Sequence, residues 1–145
     1  MLNFSIGSAK LIISKRIVEM ISSESIQDSS PRKMNIESLR DYCLLKSGVT
    51  ETFPFGEDTL VFKLSDKIFL LCGLDNPDRF NVKCDPERAI SLREEYEEVQ
   101  PGYHMNKTHW NTVFMNGRLS DMQLKEMIDH SYDLILKSLP KNKRF

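Results

Sequence analysis

Residues 59–73 of the chain read TLVFKLSDKIFLLCG, and this stretch decides the fold. Its halves, TLVFKL and KIFLLCG, are rich in the β-branched, aromatic and other apolar residues that favour strands, and only Ser65 and Asp66 separate them. Two such runs joined by so short a polar link form an antiparallel hairpin. The stretch therefore predicts two adjacent strands around which the rest of a sheet is built.

Two further strands are predicted downstream of the hairpin. Residues 79–84, RFNVKC, alternate apolar and polar side chains, which is the pattern of a strand with one face on the core and one face in water. A second apolar and β-branched run extends from Trp110 to Met115, and the turn pair Asn116-Gly117 ends it. We therefore expect an antiparallel sheet of about four to five strands.

Amphipathic helices are predicted at both ends of this strand region. Asn35 can cap the first helix, which stops at Gly48. The last helix begins with residues 120–123, SDMQ, which have the form of a capping box, and it ends at Pro140. Both carry apolar side chains at helical spacing, so both have a face that can pack on a sheet.

A third helix is predicted between the strands. Asp85-Pro86 supplies a side-chain cap followed by proline at the first helical position. An apolar stripe at helical spacing predicts that this helix continues as far as Pro101-Gly102, and the stripe consists of Ala89, Leu92, Tyr96 and Val99. Local β pairing with helices gathered on one face of the sheet defines an α+β fold.

The composition is typical of one soluble globular domain. The chain has 145 residues, of which 40% are hydrophobic and 28% charged, and this size suits a single core. No apolar run approaches the roughly 20 residues that span a bilayer, so we expect no membrane partner. The odd number and wide spacing of Cys43, Cys72 and Cys84 indicate buried, reduced thiols and a cytoplasmic location.

Residues 1–33 differ from the rest of the chain. They carry five basic and three acidic residues, net +2, whereas residues 34–145 carry 15 basic and 18 acidic residues, net −3. The serine-rich stretch at residues 22–31 has little apolar surface to bury. We predict that residues 34–145 form the domain and that residues 1–33 are an extension outside the core fold, either a loosely attached arm or a segment upstream of a native start at Met34.

The polar segment at residues 101–113, PGYHMNKTHWNTV, is the strongest candidate for a binding site. It opens with a turn pair and leads into a predicted strand, so its polar side chains lie on a loop held by a scaffold. The segment brings imidazole, amide, cationic and indole groups together in His104, Asn106, Lys107, His109, Trp110 and Asn111. Such groups could exchange protons near neutral pH, hold an anion or orient a ligand.

Several separate sequence blocks occur in an order that is typical of one known family. They are FPFG at residues 53–56, VFKLSDKIF in the hairpin, VKCDPE at 82–87, PGYHMNKTHWNTV, SYDL at 131–134 and LPK at 139–141. In these blocks the chain resembles the MmcQ/YjbR family of small bacterial proteins from Met34 onward. The resemblance implies a CyaY-like fold over residues 34–145. It also implies DNA binding, because the family is described as DNA-binding through likeness to a double-wing motif.

DNA binding is the first function hypothesis. Five basic side chains on the predicted sheet and its loops could contact phosphates, namely Lys63, Arg79, Lys83, Lys107 and Arg118. Trp110 could offer a stacking surface, with Asn81, Asn106 and Asn111 as hydrogen-bonding groups. The net charge of −3 for residues 34–145 opposes this hypothesis, because sequence-independent affinity depends on Lys and Arg neutralising several phosphates.

A small-molecule or peptide site in residues 104–111 is the alternative, with Lys83 as a neighbour from the wet strand face. Enzymatic activity ranks behind both, because the chain has no nucleophile elbow, no recognised Cys–His pattern and no glycine-rich phosphate loop. His104 and His109 alone make a poor metal pair. We therefore predict no catalytic residue, no metal and no cofactor.

Overall fold

A computed structural model describes residues 33–143, so the predicted extension at residues 1–33 lies outside the described part apart from Lys33. The elements, in chain order, are α1 (Ile36–Leu44), β1 (Val49–Thr52), β2 (Thr59–Leu64), β3 (Lys67–Gly73), β4 (Arg79–Lys83), α2 (Pro86–Glu95), β5 (Val99–Pro101), β6 (Trp110–Phe114), α3 (Asp121–Ser138) and a short 3₁₀ helix (Lys141–Lys143).

The strands form one antiparallel sheet in the order β1-β2-β3-β4-β6-β5. The hairpin predicted at residues 59–73 is confirmed as β2 and β3, with Leu64 opposite Lys67. Ser65 and Asp66 both have positive φ, 50° and 69°, which is the turn geometry that matches the twist of a tight hairpin. The α+β class and the antiparallel sheet are therefore confirmed.

The sheet has six strands rather than four to five, because two short edge strands escaped the sequence patterns. Strand β1, VTET, is mostly polar and pairs along β2. Strand β5 lies in a stretch that the apolar stripe assigned to α2. The backbone of Tyr96 is extended and caps that helix, so α2 ends at Glu95, and Val99 pairs with Val113 of β6 instead.

The helices lie on one face of the sheet, as predicted. Side chains from β4, β6, α2 and α3 enclose a small internal cavity, among them Val82, Val113, Leu92, Met127 and His130. Helix α1 joins the same layer, because the hydroxyl of Tyr42 donates a hydrogen bond of 2.6 Å to the carboxylate of Asp129 on α3. The sheet face beneath the helices carries the core.

The predicted cap at Asn35 and the predicted capping box at Ser120 are both present, and Asn35 also forms a capping box with Ser38. The Asn35 side chain accepts a hydrogen bond of 2.9 Å from the Ser38 N–H at the start of α1. The Ser120 hydroxyl accepts from the Gln123 N–H over 3.1 Å at the start of α3. Asp85 caps α2 through the Arg88 N–H, with Pro86 at the first helical position. These local signals fix the helix starts.

The three cysteines are buried and unpaired with one another, as their spacing predicted. Burial raises the pKa of the Cys72 thiol to about 12 and that of Cys84 to about 11. Thiols of this kind stay protonated near neutral pH, so they behave as core residues rather than as nucleophiles. Among the helices that residues 33–143 form, none is long and apolar enough to cross a membrane.

Candidate functional site

An open groove of about 770 Å³ lies on the sheet face opposite helices α1, α2 and α3. Side chains alternate along a strand, so the residues next to the core positions Val82 and Val113 point the other way. The groove floor accordingly carries Arg79 and Asn81 from β4 with Thr112 and Phe114 from β6. Phe55 lines it from the loop before β2, and the segment after β5 contributes Tyr103, His104, Met105 and Lys107.

A chain of hydrogen bonds orders the floor of the groove. The backbone N–H of Tyr103 donates to the Thr112 hydroxyl over 3.1 Å. That hydroxyl donates in turn to Oδ1 of Asn81 on the neighbouring strand. The loop wall is thereby tied to the middle of the sheet through two polar side chains.

Two cations line the groove in different surroundings. The guanidinium of Arg79 lies over the Phe114 ring, 4.6 Å from its centroid, and also contacts the Asp78 carboxylate at 2.9 and 3.2 Å. Because Arg79 donates these bonds, the pKa of Asp78 is lowered. The Lys107 ammonium donates to the Gly102 carbonyl over 3.2 Å. No carboxylate of residues 33–143 forms an ion pair with Lys107.

Aromatic rings stand at the rim of the groove. Tyr103 is 69% exposed and Phe55 is 66% exposed, which is unusual for side chains of this size. The His104 ring lies 4.0 Å from the Tyr103 ring, centroid to centroid, at an interplanar angle of 47°. His104 has a φ of 60°, an uncommon backbone conformation for a residue with a side chain. The rim therefore presents ring surface to solvent beside the two cations.

The loop that carries these rim residues is held by local and distant contacts. Asn106 Oδ1 accepts hydrogen bonds from the backbone of Thr108 at 2.9 Å and of His109 at 3.2 Å, which closes a tight turn. Arg93 of α2 donates to the carbonyls of Lys107 and Trp110. It donates as well to Oδ1 of the buried Asn111. The sequence patterns did not single out Arg93, because they place it among the charged residues of an exposed helix face.

The structure divides the predicted site residues of this segment. His104 and Lys107 line the groove. Asn106 bonds its own turn, and the Asn111 amide oxygen is engaged by Arg93. The backbone carbonyl of His109 accepts from the Cys84 N–H over 2.8 Å, and the half-buried Trp110 begins β6.

The four cations predicted on the sheet and its turns are spread over different places. Arg79 is in the groove, whereas Lys83 lies further along β4 with its ammonium 5.8 Å from the Trp110 ring centroid. Lys63 is half-buried on β2. The Arg118 backbone donates a hydrogen bond of 2.6 Å to the Glu98 carboxylate and is the chief cause of the lowered pKa of Glu98. These cations do not line one common groove.

The groove also contains residues that the sequence left out of the site. Tyr103 and Thr112 belong to the candidate segment but were not selected, and Phe55 lies in the FPFG block. Alternation along β6 could have placed Thr112 on the face opposite Val113, whereas its position beside Asn81 depends on the register of β4 and β6. Among residues 33–143, no group of three or more His, Cys, Asp or Glu side chains could hold a metal ion.

Comparison with known proteins decides the family. A family model described as YjbR matches residues 44–134. The chain belongs to the YjbR family. Its relatives include YjbR of Escherichia coli (strain K12), 33% identical over 112 residues, which are 77% of this chain and 95% of that protein. YbdF of Escherichia coli O157:H7 is 37% identical over 90 residues, covering 61% of this chain and 74% of that protein.

A solved structure shares the YjbR fold described above. The crystal structure of the Deinococcus radiodurans protein DR2400, described with a DUF419 domain, superposes with a TM-score of 0.70 at 35% sequence identity. The match covers 80% of this chain and 88% of that one. The recognition made from the sequence blocks is therefore confirmed at the level of the YjbR family and its fold.

Proposed function

We propose that this YjbR-family domain binds a small organic anion in the groove on the open face of its sheet. One observation supports the proposal above the others: Arg79 and Lys107 both line a concave groove in which none of the described lining residues is a carboxylate. Its volume of about 770 Å³ is within the range of small-molecule sites. Cations without a carboxylate among the described lining residues favour a negatively charged occupant.

The two cations suit different parts of such a ligand. Asp78 already accepts one hydrogen bond from Nε and one from Nη2 of Arg79, so both protons of Nη1 and the second proton of Nη2 are left for a ligand. Lys107 has donated one hydrogen bond to Gly102 and has two further ammonium protons. Lys107 therefore carries the larger share of the proposed anion binding, with Arg79 as a second, partly neutralised contact.

The proposal is tested by binding measurements on the full chain with a matched pair of lysine variants. Wild type is titrated with a panel of organic anions by calorimetry, alongside Lys107→Met, which keeps most of the aliphatic stem. Lys141→Met removes an exposed lysine of the terminal 3₁₀ helix and serves as the control. We expect saturable binding that weakens about tenfold in Lys107→Met, equivalent to the loss of one charged hydrogen bond, and is unchanged in Lys141→Met. Absence of saturable binding, or equal binding by both variants, overturns the proposal.

DNA binding is the second candidate. The observation that favours it is that Arg79, Asn81 and Lys83 occupy alternate positions of β4, so the side chains of both cations lie on the groove face. Cations and exposed rings on one face can serve a nucleic-acid strand. Against it, the net charge of residues 34–145 is −3, which opposes sequence-independent binding to phosphates.

A gel-shift series over a range of salt concentrations separates the two candidates. If the face binds nucleic acid, a labelled strand is retarded at low salt, and the affinity falls as salt rises because phosphate contacts release counterions. Arg79→Gln and Lys83→Gln then weaken binding equally for different sequences, since phosphate contacts carry no sequence information. No retardation of duplex or single-stranded DNA at low salt removes this candidate and leaves the small anion.

A further inference from the structure

The side chain of Asn81 has an unusually defined orientation on the floor of the groove. Its Oδ1 accepts the hydroxyl proton of Thr112, and the Thr112 oxygen accepts the Tyr103 backbone N–H. Because the single proton of the hydroxyl is donated to Asn81, the amide has its oxygen toward β6. Its Nδ2 group, which carries two protons, is then the free end of the amide.

The Nδ2 group of Asn81 has no acceptor among residues 33–143, and it faces the open groove. None of the fully buried side-chain nitrogen or oxygen atoms in this range lacks a hydrogen-bond partner. A side-chain amide nitrogen without an acceptor in this range is therefore not fully buried, and Asn81 lines the groove. A donor held in a fixed direction favours a ligand that presents an acceptor at that point, because an unmatched polar group loses its hydrogen bonds to water.

The exposed rings at the rim of the groove are connected to the Asn81 amide through the backbone of Tyr103. Tyr103 contributes an exposed ring, and its own backbone N–H holds the Thr112 hydroxyl in place. Phe55 offers a second exposed ring along the same groove. A planar ring that covers these side chains removes apolar surface from water and can stack on them. A ring in the ligand could therefore contact Tyr103 or Phe55 and accept a hydrogen bond from Asn81.

The cationic contact lies close enough to serve the same molecule. Arg79 and Asn81 are two residues apart on β4 and point to one face, which puts their Cα atoms about 7 Å apart. Lys107 is on the loop wall of the same groove. An anionic group at Arg79 and Lys107 and a ring at Asn81 can therefore belong to one small ligand.

We infer that the ligand of the groove is an anion joined to a heteroaromatic ring, and that Asn81 selects the ring by donating a hydrogen bond to an acceptor on its edge. This inference rests on the proposed function, since it names the class of anion. Nucleoside monophosphates and heteroaromatic carboxylates share this chemistry. Phosphate or aliphatic carboxylates alone provide the charge, but they have no ring and no acceptor on a ring edge.

The experiment uses two pairs of probes, each with a shared anionic group, and measures each affinity on the full chain by calorimetry. Nicotinate and benzoate have the same charge and shape, but only nicotinate carries a ring nitrogen acceptor. Adenosine monophosphate and inorganic phosphate separate the ring from the anion in the phosphate class. The variants are Asn81→Leu, which removes the donor with little change in volume, and Tyr103→Ala, which removes rim ring surface. Lys107→Met again reports on the anion.

We expect at least one heteroaromatic anion to bind about tenfold more tightly than its matched partner, the value of roughly one selective hydrogen bond. Preference for nicotinate identifies the carboxylate class, and preference for adenosine monophosphate identifies the nucleotide class. Asn81→Leu should abolish the nicotinate preference over benzoate, and Tyr103→Ala should weaken both ring-bearing probes. Thermal melting of each variant verifies that it is folded.

Two results overturn the inference in distinguishable ways. Equal affinity within each probe pair, with binding still weakened in Lys107→Met, removes the ring selection but leaves the anion-binding function. A preference that persists in folded Asn81→Leu removes Asn81 as the selecting residue. Absence of saturable binding for all the anions removes the proposed function together with the inference.

Discussion

The Nε of Arg93 donates a hydrogen bond of 2.7 Å to Oδ1 of Asn111, a side chain that is only 1% exposed. Arg93 also donates to the backbone carbonyls of Trp110 and Lys107. One guanidinium thus joins helix α2 to the first strand residues of β6 and to the loop that forms a wall of the groove. The planar fork of arginine suits this role because it directs several donors at once.

Arg93→Ala should destabilise the domain and loosen the groove wall. The substitution leaves the buried Asn111 oxygen without its partner, so we expect the free energy of unfolding to fall by about 1–3 kcal/mol. Urea unfolding measures this change. Glu94→Ala, at an exposed position of the same helix, should stay within about 0.5 kcal/mol of wild type. Equal stability of the two variants would show that the Arg93 contacts contribute little.

Ser131→Ala should be destabilising although it removes a single oxygen atom. The Ser131 hydroxyl is fully buried on α3, donates to the Phe69 carbonyl and accepts from the Lys83 N–H over 2.9 Å. It thereby bridges β3 and β4 where their own pairing covers only two residue pairs. Alanine leaves a buried donor and a buried acceptor unpaired, and we expect a loss of about 2 kcal/mol in unfolding free energy.

The control for Ser131 is Ser138→Ala, at an exposed position near the end of the same helix. Its hydroxyl donates to the Ile135 carbonyl within the helix, so its loss should change the unfolding free energy by less than about 0.5 kcal/mol. Denaturant unfolding of both variants compares them directly. The bridging role of Ser131 is wrong if its variant is as stable as the Ser138 variant.

The sequence predicted those parts of the fold that depend on local signals. The hairpin at residues 59–73 combines strand-forming runs with a short polar link, and the cap at Asn35 and the capping box at Ser120 set the helix starts. Strand β5 could not be predicted in this way. Its Val99 continues the helical stripe of α2, and only pairing with Val113, distant in sequence, assigns it to the sheet.

The sequence identified only part of the candidate groove, again because local patterns do not report contacts between distant residues. The segment at residues 101–113 was identified by its polar and turn residues, and His104 and Lys107 do line a groove. Which of its side chains face outward depends on the turn at Asn106 and on the contact from Arg93 to Asn111. The second of these joins residues 18 positions apart, and no local spacing pattern reports such a contact.

Gly102→Ala should strain the start of the groove wall. Gly102 is buried, and a Cβ atom at this position would lie 2.8 Å from Trp110 Cβ and 3.0 Å from Met105 Cβ. Both neighbours are close to the backbone and have little freedom to move, so we expect a loss of about 1–3 kcal/mol in unfolding free energy. Gly73→Ala is the control, because among residues 33–143 a Cβ there meets only the Asp58 carbonyl, at 4.0 Å. Similar melting temperatures for both variants would contradict the expected overlap.

The stability of the domain should fall in mild acid because of His130. The Asp85 N–H donates to His130 Nε2 over 3.1 Å, which requires that nitrogen to be unprotonated. Burial, followed by the nearby Arg88, lowers the pKa of His130 below its ordinary value of 6.5, while Asp85 and Asp133 oppose the shift and Lys137 adds to it. The unfolded chain therefore binds the proton more readily than the folded chain, so this contribution to stability is complete above pH 6.5 and is lost as the pH falls through the folded pKa.

Replacement of His130 by glutamine removes the titration while keeping a hydrogen-bond acceptor for the Asp85 N–H. We expect the free energy of unfolding of His130→Gln to change less than that of wild type between about pH 7.5 and pH 5, a window above the carboxylate pKa range. Urea unfolding at several pH values measures the two slopes, and an NMR titration of the His130 ring reports its folded pKa directly. Parallel slopes for the two proteins, or a ring pKa above 6.5, would contradict the prediction. Parallel slopes would mean that a group other than His130 causes the acid sensitivity. A raised ring pKa would mean that protonation of His130 stabilises the folded chain as the pH falls.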